Sequence, residues 1–240
     1  MIAGSVATEL KILCAGAAQG LVKALQQEFE SDTGATVSGR FGAVGAMREA
    51  LMAGEPCDLM IVTDTMVDAL AGAGELDAAS RRALGRVRTG VAVRAGEARP
   101  DIADAGTLRA SLLSAQGLYF PDPVRSTAGI HFAGVLRKLG IHDELQARFH
   151  TFPNGATAMR ELAASRAPRL IGCTQITEIN YTTGVTLVGA LPDEFELSTV
   201  YTAAVGAKAS QPEIARRFID LLTGKRHADL RRAGGFGAVQ

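Results

Sequence analysis

Four loops of small or hydroxyl-bearing residues each follow a short hydrophobic run and open an amphipathic segment. They comprise residues 14–18 (CAGAA), 41–45 (FGAVG), 121–129 (PDPVRSTAG) and 152–156 (FPNGA). The first turn of a helix leaves backbone N–H groups unpaired and carries about half a positive charge. Several such turns aimed at one point hold an anion without a metal. The sequence therefore predicts a small-anion site where these loops meet.

The residues expected to contact the anion lie in these loops. Arg125 is the predicted anchor, because it stands beside two hydroxyl residues and the start of a helix; the alternative is a solvated loop arginine. Ser126 and Thr127 cap the helix, bind the ligand, or do both. The predicted ligand contacts from the loops are Gly16, Ala17, Ala18, Ala43, Val44, Gly45, Arg125, Ser126, Thr127, Ala128, Asn154 and Gly155.

Glu178 and His131 are the candidates for proton transfer, since carboxylates and imidazoles are common general acids and bases. Glu178 lies three residues beyond Gln175, which on a helix places the two on neighbouring faces. The alternative for Glu178 is an ion pair with a surface arginine, and for His131 a position in the core. Asp64 follows a predicted strand and either caps the next helix or faces the cleft.

The composition excludes several classes of function. The 240 residues carry 25 basic and 25 acidic side chains, and this balance gives no electrostatic case for binding nucleic acid or an anionic membrane surface. Three cysteines, Cys14, Cys57 and Cys173, are widely spaced in apolar runs and are predicted to be buried free thiols. The four histidines lack metal-like spacing with them, so we expect no metal and no cofactor.

The compartment is left open by the sequence. Residues 1–8 contain neither a basic segment nor an apolar stretch of signal-peptide length, and no run approaches the ~18 apolar residues of a membrane span. As written, the chain is expected to be cytoplasmic and not inserted in a membrane. If a leader has been removed, the expected location is the periplasm.

Short β-type runs alternate with amphipathic helical stretches, which predicts an α/β protein with mainly parallel sheets and flanking helices. Residues 10–15, 36–41 and 58–63 form the strands of a first βαβαβ block. Alternating runs near residues 84–92 and 197–207 are typical of strands that cross between sheets. We therefore predict two domains, residues 1–85 with 203–240 and residues 86–202, with a ligand cleft between them.

At this point the chain resembles the molybdate-binding type of bacterial solute-binding protein, with the type II periplasmic-binding fold. The resemblance covers nearly the full length. It rests on residues 13–18, 41–47, 53–59 (AGEPCDL), 122–123 with 128–130, 138–140 and 234–236. It implies a two-domain protein that closes around a small anion.

The resemblance also implies a change of ligand. The serine of the first loop corresponds to Ala17, the serine run of the second loop to Ala43, Val44 and Gly45, and the family tyrosine to Gln175. A site built from hydroxyl donors selects strongly for the ligand that they bind, so the loss of these donors indicates a different ligand. Gln175 is accordingly expected either to contact the ligand or to be an ordinary buried amide.

Arg125 favours a planar di- or tricarboxylate over a compact oxometalate, because a guanidinium makes two parallel bonds to a carboxylate. The segment 174–178 (TQITE) further resembles a subgroup with aconitate isomerase-like members. Three hypotheses follow: a solute-binding protein, partnered by an ABC permease if it is secreted; a cofactor-independent isomerase of an unsaturated carboxylate; and a cytoplasmic sensor of the same ligand.

Overall fold

The protein is described by a computed structural model over residues 8–239. Its first part alternates strands and helices: β1 Glu9–Ala15, α1 Gly16–Thr33, β2 Thr36–Gly42, α2 Val44–Met52, β3 Leu59–Thr63 and α3 Asp64–Gly72. The buried face of α1 contains Leu21, Leu25 and Phe29, which recur at the spacing of a helix. Gly34, at φ 70°, adopts the left-handed conformation that ends this helix.

The remaining elements are β4 Arg82–Arg94, α4 Ala105–Ser114, β5 Gly117–Pro121, α5 Thr127–Lys138, α6 His142–Leu145, β6 Phe149–Phe152, α7 Gly155–Ala164, β7 Leu170–Gln175, α8 Ile176–Asn180, β8 Val185–Ala190, β9 Ser198–Val205, α9 Pro212–Thr223 and α10 Ala228–Gly234. The sequence analysis had not identified α6, α8, β8 or α10. Three of these elements are short helices, and β8 is half-buried along its length, so none has a strong apolar period.

The strands follow the order β2-β1-β3-β9-β4-β7-β5-β6, and β8 pairs with β4. The pairs at either side are parallel, whereas β9 and β4 run antiparallel to their neighbours. The long strand β4 joins the two parts: residues 82–88 pair with β9, residues 89–92 with β7 and residues 90–94 with β8. The predicted α/β fold of the type II periplasmic-binding kind is confirmed.

The buried residues form one core from residues 10–87 and 201–236, and two smaller cores from residues 91–195. Val87 and Tyr201, which fall in the predicted second domain, pack in the first core. The division into domains at residues 85–86 and 202–203 stays a prediction.

All three cysteines are buried and free, as the sequence analysis predicted. Burial raises the pKa of the Cys57 thiol to about 12. Between residues 8 and 239, no helix is both long and apolar enough to cross a bilayer. The same part of the chain contains no group of three potential metal-ligating side chains.

Candidate functional site

Three long helices begin at one place without a side-chain cap. The residues before α1, α2 and α5 are Ala15, Ala43 and Ser126, and none of them donates or accepts a capping hydrogen bond through its side chain. Three other helices do have a side-chain cap: Thr63 accepts from the third residue of α3, Asp104 caps α4 and Asn154 caps α7. Except for that of Gly45, the N–H groups in the first turns of α1, α2 and α5 therefore have no cap or loop partner within residues 8–239.

These turns surround a small enclosed space, which we call the inner pocket. It is lined by Ala15, Gly16, Ala17, Gly42, Ala43, Val44, Ser126, Thr127, Asn154, Gln175, Glu178 and Tyr201. Its volume is about 10 Å³, which is room for about one water molecule at most. Eight of the predicted ligand contacts lie here: Gly16, Ala17, Ala43, Val44, Ser126, Thr127, Asn154 and Gln175.

Gln175 is a buried polar side chain in this pocket that lacks hydrogen-bond partners. It ends β7, opposite Thr89 of β4, and only 2% of its surface is exposed. Neither Oε1 nor Nε2 has a hydrogen-bond partner among the described residues. A buried amide without partners costs free energy, so this side chain has both a donor and an acceptor available to a ligand.

Glu178 lies in the first turn of α8 and is buried against the start of α7. Its Oε1 accepts from the N–H groups of Gly155, at 3.1 Å, and Ala156, at 3.3 Å, and its Oε2 accepts from the Thr174 hydroxyl at 2.5 Å. Burial raises the pKa of this carboxyl, and the three hydrogen bonds oppose the rise. The alternative of an ion pair with a surface arginine is wrong.

The approach of Glu178 depends on two glycines. A Cβ atom at Gly16 would lie 2.3 Å from Oε1, and one at Gly155 would lie 2.0 Å from Oε2. These distances are far below ordinary contact, so the first turns of α1 and α7 admit the carboxylate only because both residues lack a side chain.

Three of the predicted ligand contacts already have hydrogen-bond partners within the protein: the backbone N–H groups of Gly45 and Gly155, and the side chain of Asn154. The N–H of Gly45 donates to the Arg125 carbonyl at 3.2 Å, and that of Gly155 donates to Glu178. Asn154 caps α7 by accepting from the Thr157 N–H at 2.8 Å. The N–H groups at the start of α7 are thus bonded to Asn154 and Glu178, whereas the first turn of α2 has a partner only at Gly45 among residues 8–239.

Tyr201 was missed by the sequence analysis. It lies on β9 opposite Thr63 and lines the inner pocket. Burial raises its pKa above the ordinary range, and the nearby Glu178 charge raises it further. The Gln175 amide partly offsets this rise, although no hydrogen bond of good geometry joins the two side chains.

Hydroxyls are therefore present in the pocket, from Ser126, Thr127 and Tyr201, although the family positions mapped from the sequence have lost theirs. The only signal for Tyr201 in the sequence was its place at the middle of the alternating run 197–207.

A second space, the outer cavity, has a volume of about 890 Å³ and shares Val44 and Thr127 with the inner pocket. It is lined by Val44, Gly45, Glu49, Thr63, Asp64, Thr65, Met66, Val124, Arg125, Thr127, Ile130, Leu197, Ser198, Thr199 and Val200. Arg125 is half-exposed here, with its Nε 3.7 Å from Glu49 Oε1. The loop before it is shaped by Asp122, which accepts from the N–H groups of residues 124 and 125.

The remaining candidates lie away from the inner pocket. Ala18 and Ala128 are buried beneath it, and His131 lines neither space, because its Nε2 lies 2.7 Å from the Phe195 carbonyl oxygen. Asp64 does not cap α3, since Thr63 does. Asp64 instead accepts from the Thr202 hydroxyl at 2.7 Å, which holds its pKa below the ordinary value.

Comparison with known proteins agrees with this architecture. Among curated proteins, an aconitate isomerase from a Pseudomonas species is 25% identical over 231 residues, covering 94% of this chain and 86% of its own. The periplasmic molybdate-binding protein of Azotobacter vinelandii has a similar structure, with a TM-score of 0.79 at 20% identity over 96% of this chain and all of its own. The sulfate-binding protein SubI from Mycobacterium tuberculosis H37Rv has a TM-score of 0.73 at 16% identity, over 97% and 88%.

The family described as bacterial extracellular solute-binding protein matches residues 10–237, nearly the whole chain. The chain belongs to the bacterial extracellular solute-binding proteins, with a fold of the molybdate- and sulfate-binding type.

Proposed function

We propose that this protein binds a small di- or tricarboxylate, with one carboxylate in the inner pocket and a second near Arg125. The observation that carries the proposal is Gln175, a buried amide without partners that lines a pocket formed by three uncapped helix starts. A carboxylate there accepts hydrogen bonds from the amide and from the free N–H groups.

The sizes of the two spaces favour an extended ligand over a compact oxyanion. The inner pocket is tight, whereas the outer cavity next to it holds about 890 Å³. Arg125 lines that cavity and has only a long contact with Glu49, so its guanidinium is available for a second carboxylate. The likeness to molybdate- and sulfate-binding proteins, at 20% identity or less, concerns the fold alone.

Ligand entry requires the pocket to open, because its present volume does not admit a carboxylate. β4 and β9 connect the parts on either side of the pocket and are the natural hinge. Preferential binding to the closed state then traps the ligand. In a transport role, the closed form delivers the anion to an ABC permease.

The test is calorimetric titration with citrate, cis-aconitate, trans-aconitate, molybdate, sulfate and phosphate. We expect binding of at least one carboxylate and a loss of about 10- to 150-fold in its affinity in Arg125→Ala, because a charge-assisted bond contributes ~1.5–3 kcal/mol. Arg232→Ala is the matched control, since Arg232 is an exposed arginine of α10 that pairs with Asp229 and lines none of the spaces named above. Binding of molybdate or sulfate alone would refute the carboxylate proposal.

A second candidate function is isomerisation of an unsaturated carboxylate at the same site. It is favoured by Glu178, a buried carboxylate of raised pKa in the pocket, and by the curated relative named aconitate isomerase. Glu178 would accept a proton from the carbon beside the double bond. The double bond shifts by one carbon, and the same proton returns to the far carbon.

During this step the free N–H groups and Gln175 would stabilise the negative charge on the substrate carboxylate. The test is incubation of trans-aconitate with the protein, followed by NMR detection of the cis isomer. Conversion that disappears in Glu178→Gln supports the enzyme. Binding without conversion leaves the solute-binding function alone.

A further inference from the structure

Glu178 separates the inner pocket from a third space, which we call the rear cavity. This cavity has a volume of about 360 Å³ and is lined by Gly16, Gln19, Gly20, Lys23, Ala156, Arg160, Glu178, Tyr181, Thr182 and Thr183. It shares Gly16 and Glu178 with the inner pocket and has no residue in common with the outer cavity. One buried carboxyl group thus borders the ligand site on one side and a separate polar cavity on the other.

We infer that anion binding in the inner pocket takes up one proton, and that Glu178 is the group that receives it. This inference rests on the proposed binding function. It concerns the same pocket and adds a proton to the binding reaction.

The first argument is the charge of the pocket. The partners of Glu178 are two backbone N–H groups and one hydroxyl, and no cation is hydrogen-bonded to it. An anion entering the inner pocket meets this carboxylate at close range in a space from which water is excluded. Two like charges in such a space raise the pKa of the protein group, so the complex favours the neutral acid.

The second argument is that no other group near Glu178 can take the proton. Tyr181, which follows α8, Tyr201 on β9 and Cys14 on β1 all have pKa values raised by burial, so they are already neutral. Lys23 on α1 and Arg160 on α7 are exposed cations that line the rear cavity. A cation takes up no further proton, so the charge of the ligand is offset at Glu178.

The third argument is access. The inner pocket is lined almost entirely by buried residues, but the rear cavity is bordered by the exposed side chains of Lys23, Arg160 and Thr183. Glu178 therefore keeps a route to solvent protons while the ligand site is shut. A protonated Glu178 also gains an O–H that can donate to the bound carboxylate.

The test measures proton uptake directly. Citrate is titrated into the protein by calorimetry in HEPES and in Tris, which differ in ionisation enthalpy, at several values between about pH 6 and pH 9. We expect the wild-type protein to take up close to one proton more than Glu178→Gln on binding citrate. Protons that citrate itself gains or loses are the same for both proteins and cancel in this difference. Above the pKa of free Glu178, the affinity should fall by about tenfold for each pH unit.

Glu161→Gln is the matched control, because Glu161 is an exposed carboxylate of α7 and should leave the uptake unchanged. If Glu178→Gln does not fold, Thr174→Val replaces it. Loss of the Thr174 hydroxyl raises the pKa of Glu178 and should move the uptake to higher pH.

Binding without proton uptake at any pH would overturn this inference and leave the proposed function intact. Absence of binding by every carboxylate would overturn both. Uptake by Glu178 would also exclude it as the base of the second candidate function, since a protonated carboxyl accepts no further proton.

Discussion

Replacement of Gln175 by leucine should make the protein more stable and weaken its ligand binding. The side chain is buried and both of its polar atoms lack partners, so the folded protein carries the cost of desolvating them. That cost is about 1–3 kcal/mol for a buried polar group, and an apolar residue of similar shape removes it. We expect the free energy of unfolding to rise by about 1–3 kcal/mol in Gln175→Leu.

The same substitution removes a donor and an acceptor that face the inner pocket. A hydrogen bond to a charged ligand is worth ~1.5–3 kcal/mol, which corresponds to about 10- to 150-fold in affinity. Urea unfolding measures the stability, where the midpoint should rise at constant slope. Calorimetric titration with the carboxylate that binds the wild type measures the affinity.

Thr177→Val is the matched control. The Thr177 hydroxyl is also buried without a partner, but this residue lines none of the three spaces. It should therefore gain stability while its affinity stays that of the wild type. A Gln175→Leu protein that is destabilised by more than about 1 kcal/mol, or that binds with unchanged affinity, would refute the reasoning.

Three further predictions concern stability and reactivity. In Gly155→Ala the free energy of unfolding, measured in urea, should fall by about 1–3 kcal/mol, because the new Cβ would lie 1.9 Å from the Thr174 hydroxyl oxygen. Gly134 on α5 is the control: its Cβ would meet open space, so Gly134→Ala should raise the free energy of unfolding by up to ~1 kcal/mol. Burial raises the pKa of Glu178, because the folded protein disfavours the ionised carboxylate. The contribution of this group to the free energy of unfolding should therefore be greatest below the ordinary glutamate pKa and be lost as the pH rises through the raised value. The urea midpoint of Glu178→Gln should not show this loss. Cys57, whose pKa is raised to about 12, should react slowly with a disulfide reagent until the protein is unfolded, and rapid labelling of the native protein would contradict its burial.

The helix starts illustrate what local sequence can predict. The small residues at 14–18 and 41–45 follow apolar strands, and the structure begins α1 and α2 at Gly16 and Val44. Small residues at a strand-to-helix turn predict a helix start without a side-chain cap, because they carry no group that could bond to the N–H groups of the first turn. The fold class followed from the alternation of such units.

Glu178 illustrates what local sequence cannot predict. Its spacing from Gln175 was visible, but its partners are Gly155 and Ala156, 23 and 22 residues away in the chain. The same holds for Tyr201, which reaches the pocket because β9 lies between β3 and β4. Contacts of this kind depend on the order of strands in the sheet, which no single segment encodes.

The sequence by itself determined the α/β architecture, the positions of the anion-oriented turns, the free cysteines and the resemblance to solute-binding proteins, because each depends on residue types over short spans. The tertiary structure decided which of these turns have partners, and it buried the Glu178 carboxylate without a counter-charge and the Gln175 amide without a hydrogen-bond partner. Burial, pKa and unpaired polar atoms are properties of long-range packing, which no single segment of the sequence encodes.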